Sequence, residues 1–342
     1  MAKVGIVGAS GFTGAELLRL CAGHPDLDVS VATGDSQAGT SVAQLYPSLA
    51  TAYGDLVFAP YEPGVVDGLD LVFLGLPHGA SQTIVPALEG RVGKVVDLAA
   101  DFRLKDPSLY PTWYGSPHAC PEWLDRFVYG LPELFREDLD DATHVAAPGC
   151  YVTTTALTLA PLVRAGLVET TGIVVDAASG VSGAGRGPRA EQMFCAVDEN
   201  FAAYGLLNHR HTPEMEQAIG AQLLFTPHLA PMNRGILATC YARPTDPGTT
   251  TADVIGALDA HYAGEPFVVV AGPDDALPST KATLGSNACH VTARVDERTG
   301  WVVAIGALDN LVKGASGQAV QCANLLLGLP EPTGLPIAGV YP

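Results

Sequence analysis

Lys3-Val4-Gly5-Ile6-Val7-Gly8-Ala9-Ser10-Gly11-Phe12-Thr13-Gly14 runs a β-branched strand straight into a glycine-spaced turn, and Ala15 to Ala22 continues with helical spacing. Strand, tight turn and helix in that order open a βαβ dinucleotide-binding unit. Gly8 permits the tight turn, Gly11 leaves room for a pyrophosphate against the backbone, and Gly14 lets helix and strand pack closely. The helix N-terminus and the hydroxyls of Ser10 and Thr13 offer donors to phosphate oxygens. Gly8, Ser10, Gly11, Phe12, Thr13 and Gly14 are therefore the candidate cofactor loop. A purely structural turn is the competing explanation, and the βαβ context favours the cofactor.

The pattern outside this stretch continues the alternation. A second strand is expected over 28–33, followed by Gly34-Asp35-Ser36-Gln37. An acidic residue here suits the ribose diol of NAD, and Ser36 offers a neutral hydrogen bond to the extra phosphate of NADP. Asp70-Leu71-Val72-Phe73-Leu74-Gly75-Leu76-Pro77 is apolar throughout, as in a buried parallel strand. His78 follows it at a strand's carboxyl end, either facing the nicotinamide or capping the next helix. Arg103, after the strand ending near Leu98, is an anion clamp or a surface ion pair. Residues 104–142 are broken by Pro107, Pro111, Pro117, Pro121 and Pro132, and a domain boundary is expected soon after.

Ala147-Pro148-Gly149-Cys150-Tyr151 then places a cysteine between a sharp turn and a helix expected over Thr153 to Ala165. Unpaired N–H groups and the partial positive charge of a helix start lower a thiol's pKa. Cys150 is the candidate nucleophile, against the ordinary reading of a buried thiol. Ser179-Gly180-Val181-Ser182-Gly183-Ala184-Gly185-Arg186-Gly187 suits an anion-binding loop. In Asn208-His209-Arg210-His211-Thr212-Pro213-Glu214, an extended backbone would put both histidines on one side, with Thr212 and Pro213 opening a helix. No third ligand completes a metal site, so a thiol-activating base oriented by a neighbour is the better reading. Strands over 223–226 and 235–242 flank the loop 227–234, which holds Arg234. Strands over 287–295 and 301–306 form a hairpin, giving a mostly antiparallel sheet with helices on one face. The helix from Ser316 to Leu327 returns to the first domain, and Asn310, just before it, could serve the nicotinamide carboxamide.

Composition limits the partners. A formal charge of −18 argues against nucleic acid, so any anionic substrate must be gathered by a few local arginines. No apolar run is long enough for a membrane span, and the opening strand leaves no room for a leader, so a cytoplasmic location is expected. The seven cysteines are scattered without zinc-like spacing and are expected as thiols.

A dinucleotide fold with an activated cysteine and a histidine implies hydride transfer to or from an acyl carbon held on sulfur. The motifs resemble those of the N-acetyl-γ-glutamyl-phosphate reductases of arginine biosynthesis, relatives of aspartate-semialdehyde dehydrogenase. They are the Gly8–Gly14 loop, Leu76-Pro77-His78-Gly79, Ala100-Asp101-Phe102-Arg103, Tyr129-Gly130-Leu131-Pro132-Glu133, Pro148-Gly149-Cys150-Tyr151, the Ser179–Arg186 loop and the His209 segment. The resemblance implies a Rossmann-type domain over 1–149 and 311–342, with a catalytic and dimerisation domain over 150–310. It implies NADP as cofactor, although Asp35 leaves NAD open, and reduction of an acyl phosphate through a cysteine thioester. Cys150 would be the nucleophile and His209 the acid/base, oriented by His211 and Glu214. Arg103, Arg186 and Arg234 would hold carboxylate and phosphate. Homodimers or homotetramers are implied. Competing readings are a reductase of aspartyl or carrier-bound aminoadipyl phosphate, and a non-catalytic NADPH-sensing regulator.

Overall fold

The computed structural model describes residues 1–341, which divide into two compact units. The first comprises Met1–Pro148 and Ala315–Leu335; the second comprises Gly149–Gly314 and the chain from Pro336 onward.

In the first unit, β1 (Ala2–Val7), α1 (Phe12–Ala22), β2 (Leu27–Ala32), β3 (Leu71–Leu74), α2 (Ser81–Leu88), β4 (Lys94–Asp97), β5 (Val128–Tyr129) and β6 (His144–Ala146) follow in order. The strands form one parallel sheet in the order β2-β1-β3-β4-β6-β5. Leu71, Val72, Phe73 and Leu74 are all buried, because a central parallel strand is covered on both faces. The order reverses between β1 and β3, so the turns leaving these two strands diverge and open a crevice. Gly8 sits there with φ 85°, and a Cβ on it would meet the Gly75 carbonyl carbon at 2.9 Å. On one face of the sheet Val72, Leu74, Val85, Leu88, Phe102, Tyr110 and Phe127 join a single apolar cluster.

The second unit begins with α3 (Cys150–Arg164), then β7 (Ile173–Gly180), β8 (Ala202–Ala203), α4 (His211–Ile219), β9 (Leu223–Ala230), β10 (Ile236–Ala242), α5 (Thr251–Tyr262), β11 (Val268–Val270), β12 (Cys289–Asp296) and β13 (Trp301–Leu308). Its seven strands run β11-β12-β13-β10-β7-β9-β8. The pairs are antiparallel except β11–β12 and β7–β9. From Tyr151 to Leu162 every residue of α3 is buried. Three of its threonines bond back along the helix: Thr153 Oγ1 to Gly149 O at 3.3 Å, Thr154 Oγ1 to Cys150 O at 2.9 Å and Thr158 Oγ1 to Thr154 O at 2.8 Å, whereas Thr155 Oγ1 is buried without a hydrogen bond. After β13 the chain passes to α6 (Gly317–Leu326) in the first unit.

Several boundaries differ from the sequence expectation. Gly149 belongs to the second unit because its N–H is bonded to Glu214 there. Residues 311–314 stay with that unit too, and so does the chain from Pro336, through Asn287 N–H to Pro336 O and Val340 N–H to Leu284 O, each 2.7 Å. The helix expected from Thr153 already starts at Cys150. β9 continues through Pro227 and His228 to Ala230, where a loop was expected, because it is paired along its length to β7. No helix among the described residues is long and apolar enough to cross a membrane.

At the end of β4, Asp97 is fully buried and accepts from Ser81 Oγ at 2.7 Å and from Ala99 N–H at 3.1 Å. Burial raises its pKa to about 7, above the ordinary 3.8, against the pull of the Ser81 bond. A carboxyl with a raised folded pKa favours the native state while protonated, so its contribution is lost as pH rises from about 3.8 through about 7. Asp97→Asn is therefore expected to gain stability relative to wild type across that window and then level off. Urea unfolding at pH 5 and pH 8 checks this, and an unchanged difference would refute it.

Candidate active site

In the first unit the three loop glycines meet three separate demands. Gly8 supplies the left-handed backbone, while Gly14 lets α1 lie against the preceding chain, since a Cβ there would sit 2.6 Å from the Ala9 carbonyl carbon. Gly11 is the open one: its would-be Cβ meets nothing nearer than Gly8 O at 3.6 Å. Gly11 is also the N-cap of α1, with no side chain capping the first-turn N–H groups that begin at Phe12 and Thr13. An uncapped helix start beside an open glycine fits a dinucleotide's pyrophosphate. Tyr46, not singled out from sequence, supports the loop by donating to Ser10 O at 2.7 Å and Gly11 O at 3.3 Å. Only this tertiary contact reveals it. Asp35 and Ser36 lie exposed on a short turn after β2.

His78 pairs through Nδ1 with Asp101 Oδ1 at 2.5 Å and stacks on Tyr114 at 4.3 Å between ring centroids. Asp101 is fully buried and also accepts from Gly79 N–H at 2.8 Å. Burial pushes its pKa up, but the bonds from His78 and Gly79 outweigh this and hold it below the ordinary value. His78 is thus fixed through Nδ1, leaving Nε2 as its outer edge. Arg103 is not the surface ion pair that was one of its two readings. It is buried, donating from Nε to Ala147 O and from Nη2 to Leu98 O, each 2.8 Å.

In the second unit Cys150 opens α3, with Gly149 as N-cap and no side chain capping the helix. Two groups from α4 converge on this turn. The carboxylate of Glu214, completely buried, accepts from Gly149 N–H at 2.9 Å. The His211 ring lies against Gly149 Cα: a Cβ there would overlap Nε2 and approach Cε1 to 2.6 Å. Residue 149 must therefore lack a side chain. Positions 211 and 214 are three apart on one helix and so face the same way. His209 precedes that helix in a turn and does not lie in an extended strand. Its Nδ1 accepts from His211 N–H at 3.1 Å, which leaves Nε2 to carry the proton of the neutral ring. The rings of Tyr151, Tyr204, Phe225 and His211 surround it edge-on at 4.8–5.7 Å. Burial, helped by the neighbouring Arg210 charge, lowers its pKa to about 4. Glu214, expected to orient His209, accepts from the cysteine turn.

The glycine-rich loop after β7 is fastened to the chain before β10, with Val181 N–H to Met232 O at 2.9 Å and Ser182 N–H to Asn233 O at 3.2 Å. Arg186 is half-buried on this loop and makes no ion pair among the described residues. Arg234 lies 3.5 Å from the buried Asp309 carboxylate. Asn310 is buried within the second unit, its Oδ1 accepting from Gly235 N–H at 2.7 Å and its Nδ2 donating to Ser182 Oγ at 3.0 Å. Its amide holds the anion-loop region together. The structure therefore gathers Cys150, His209, His211 and Glu214 around one turn, and Arg186, Arg234 and Asn310 around the loop after β7.

Known families match each of the two units. The semialdehyde dehydrogenase NAD-binding domain model matches residues 3–142, and the semialdehyde dehydrogenase dimerisation domain model matches residues 150–310. The chain is 47% identical over 350 residues to an N-acetyl-gamma-glutamyl-phosphate reductase of Citrifermentans bemidjiense, covering 100% of both. It is 49% identical to the protein of that name from Symbiobacterium thermophilum, covering 99% of each. The crystal structure of aspartate semialdehyde dehydrogenase II from Vibrio cholerae matches with a TM-score of 0.72 at 15% identity, over 96% of this chain and 98% of that one.

The low pKa of His209 has a measurable consequence. Its folded value, about 4, lies below the ordinary 6.5, so the unfolded chain takes up a proton first as pH falls. The stability it contributes is complete above about 6.5 and is lost on acidification through about 4. His209→Gln is expected to flatten the thermal midpoint across this window. It will not abolish the slope, because burial lowers His144 to about 4 as well. Calorimetry from pH 7 to pH 4 checks it, and parallel wild-type and variant curves would refute it.

Proposed function

Because the chain belongs to the N-acetyl-gamma-glutamyl-phosphate reductase family, we propose that it reduces N-acetyl-γ-glutamyl phosphate to N-acetylglutamate 5-semialdehyde, with NADPH as reductant and phosphate released. One observation carries the mechanism: Cys150 stands at an uncapped helix start whose preceding residue is clamped by Glu214 and faced by His211.

The Cys150 thiolate, favoured by the helix N-terminus, attacks the acyl carbon; the carbon–oxygen bond to phosphate breaks and a thioester remains. The glycine-rich loop Gly8–Gly14 would hold a reduced nicotinamide dinucleotide, which would supply the hydride for the acyl carbon held on Cys150. A histidine protonates the alkoxide that hydride addition leaves, then takes the hydroxyl proton back as the C=O re-forms and the carbon–sulfur bond breaks, releasing aldehyde and the Cys150 thiolate. We assign this proton exchange to His211 in preference to His209. The His211 ring faces the cysteine turn, whereas His209 uses Nδ1 to hold the His211 backbone within an apolar nest. Arg186, lacking an internal ion pair, is the group best suited to bind a substrate oxyanion, and Arg234 assists. Arg103 acts on the protein's own carbonyls and supports the strand ends. Gly8, Ser10, Gly11, Phe12, Thr13 and Gly14 would hold the pyrophosphate, Ser36 the additional phosphate of NADP, and His78 the nicotinamide end. Family membership supports NADP, whereas Asp35 without a basic neighbour is the pattern that suits the ribose diol of NAD.

A homo-oligomer is proposed through the outer face of the seven-stranded sheet. On β7, β10 and β13, Val174, Leu237, Tyr241, Val303 and Ile305 alternate with fully buried residues and are only half-buried themselves. This apolar face lies within the segment matched by the dimerisation model.

Cys150→Ser is expected to abolish phosphate-dependent oxidation of N-acetylglutamate semialdehyde while retaining cofactor binding; surviving turnover would reject the nucleophile. His211→Asn should slow alkylation of Cys150 near neutral pH more than His209→Asn does, and the reverse order would restore His209 as base. Assays run with NADP and NAD separately test the cofactor, preference for NAD counting against the proposal. Ile305→Arg should shift sedimentation toward monomer, and an unchanged sedimentation coefficient would reject that face.

A further inference from the structure

A second segment of the same unit reaches the nucleophile. Beyond β13 the chain turns at Asp309 and Asn310 and enters a π-helical turn, Val312–Ser316. Gly314 N–H donates to Asp309 O at 2.9 Å, five residues back, as a π-turn requires. A Cβ on Gly314 would lie 2.8 Å from Cys150 Cβ, 3.3 Å from Cys150 Cα and 3.2 Å from Leu308 Cδ1. The backbone of Gly314 therefore packs directly on the cysteine's own α- and β-carbons, with no room for a methyl group.

The turn is in its turn anchored. Asp309 is fully buried, and its Oδ1 accepts from Leu311 N–H at 2.8 Å and Val312 N–H at 3.2 Å. Its Oδ2 accepts from Gly285 N–H at 2.7 Å. Three backbone bonds on one buried carboxylate fix where the wide turn starts, and hence how closely Gly314 approaches Cys150.

We propose that this turn positions the Cys150 thiol, with Gly314 as the contact and Asp309 as the anchor. Both are positioning residues acting through Cys150. The proposal rests on Cys150 being the nucleophile. Its physical basis is that thiolate character at a helix start depends on where the sulfur sits relative to the first N–H groups, and a shifted β-carbon moves the sulfur away from them.

The test compares full-length Gly314→Ala, Asp309→Asn and Cys150→Ser with wild type, using Gly256→Ala as control. Gly256 lies in α5 with nothing within 4 Å of its would-be Cβ. Iodoacetamide labelling of Cys150 is followed against pH by peptide mass mapping, alongside kcat, KM and thermal midpoint. Gly314→Ala and Asp309→Asn should label Cys150 roughly tenfold more slowly at pH 7, with the labelling midpoint moved to higher pH. For Gly314→Ala kcat should fall with KM little changed, while Gly256→Ala follows wild type. A wild-type labelling profile in folded Gly314→Ala overturns the proposal. If that variant does not fold, Asp309→Asn, which adds no bulk, decides by the same criterion. Loss of folding in both also overturns it, because the turn would then serve stability and not the thiol. Turnover by Cys150→Ser would instead remove the nucleophile reading, whatever Gly314→Ala does.

Discussion

A buried carboxylate bonded to one backbone N–H fixes the geometry of the second unit's centre. Glu214 has no exposed surface, and a carboxylate removed from water must be compensated by hydrogen bonds. It bonds the N–H of Gly149, the residue before Cys150, at 2.9 Å. This contact joins α4 to the start of α3. His211, one turn earlier on α4, is thereby brought against the same turn. The absence of a side chain at residue 149 is the steric counterpart of that bond, since the imidazole occupies the space a Cβ would need.

The first unit solves a different problem. A dinucleotide's pyrophosphate needs donors from backbone, and backbone can be approached only where side chains are missing. The loop separates its glycines by function: one for the reversed backbone, one for helix–strand contact, one left open. Tyr46 then fixes the carbonyl side of the loop, so its N–H side remains available. Nearby strand ends carry a dense set of buried polar groups, with Ser81 on Asp97, and His78, Gly79 and Gln82 on Asp101. The bonds to Asp101 hold its carboxyl below the ordinary value, while burial holds Asp97 up to about 7, so two neighbouring carboxyls titrate far apart.

Charge is managed locally against an unfavourable whole. With a formal charge of −18, the chain repels anions at long range. The half-buried guanidinium of Arg186, on a glycine-rich loop, has a planar fork that can bind two oxygens at short range. The aromatic nest around His209 does the opposite for protons, keeping that ring neutral through the physiological range. Arg103 is a contrast, because it is buried and donates to the backbone carbonyls of Leu98 and Ala147.

The sequence by itself determined the two-unit α/β architecture, the glycine loop, the cysteine at a helix start and the neighbouring histidines. These depend on local rules: strand periodicity, glycine where the backbone reverses, and donors at a helix N-terminus. Only the tertiary structure decided what the shared motifs do to one another. It turned Glu214 onto Gly149, set His211 against the cysteine turn, bonded Arg103 to the carbonyls of Leu98 and Ala147, and used the amide of Asn310 within the second unit. It also brought Gly314 onto Cys150 from 164 residues away. Such pairings are set by how whole elements pack, and packing partners distant in the chain leave no periodicity or spacing to read.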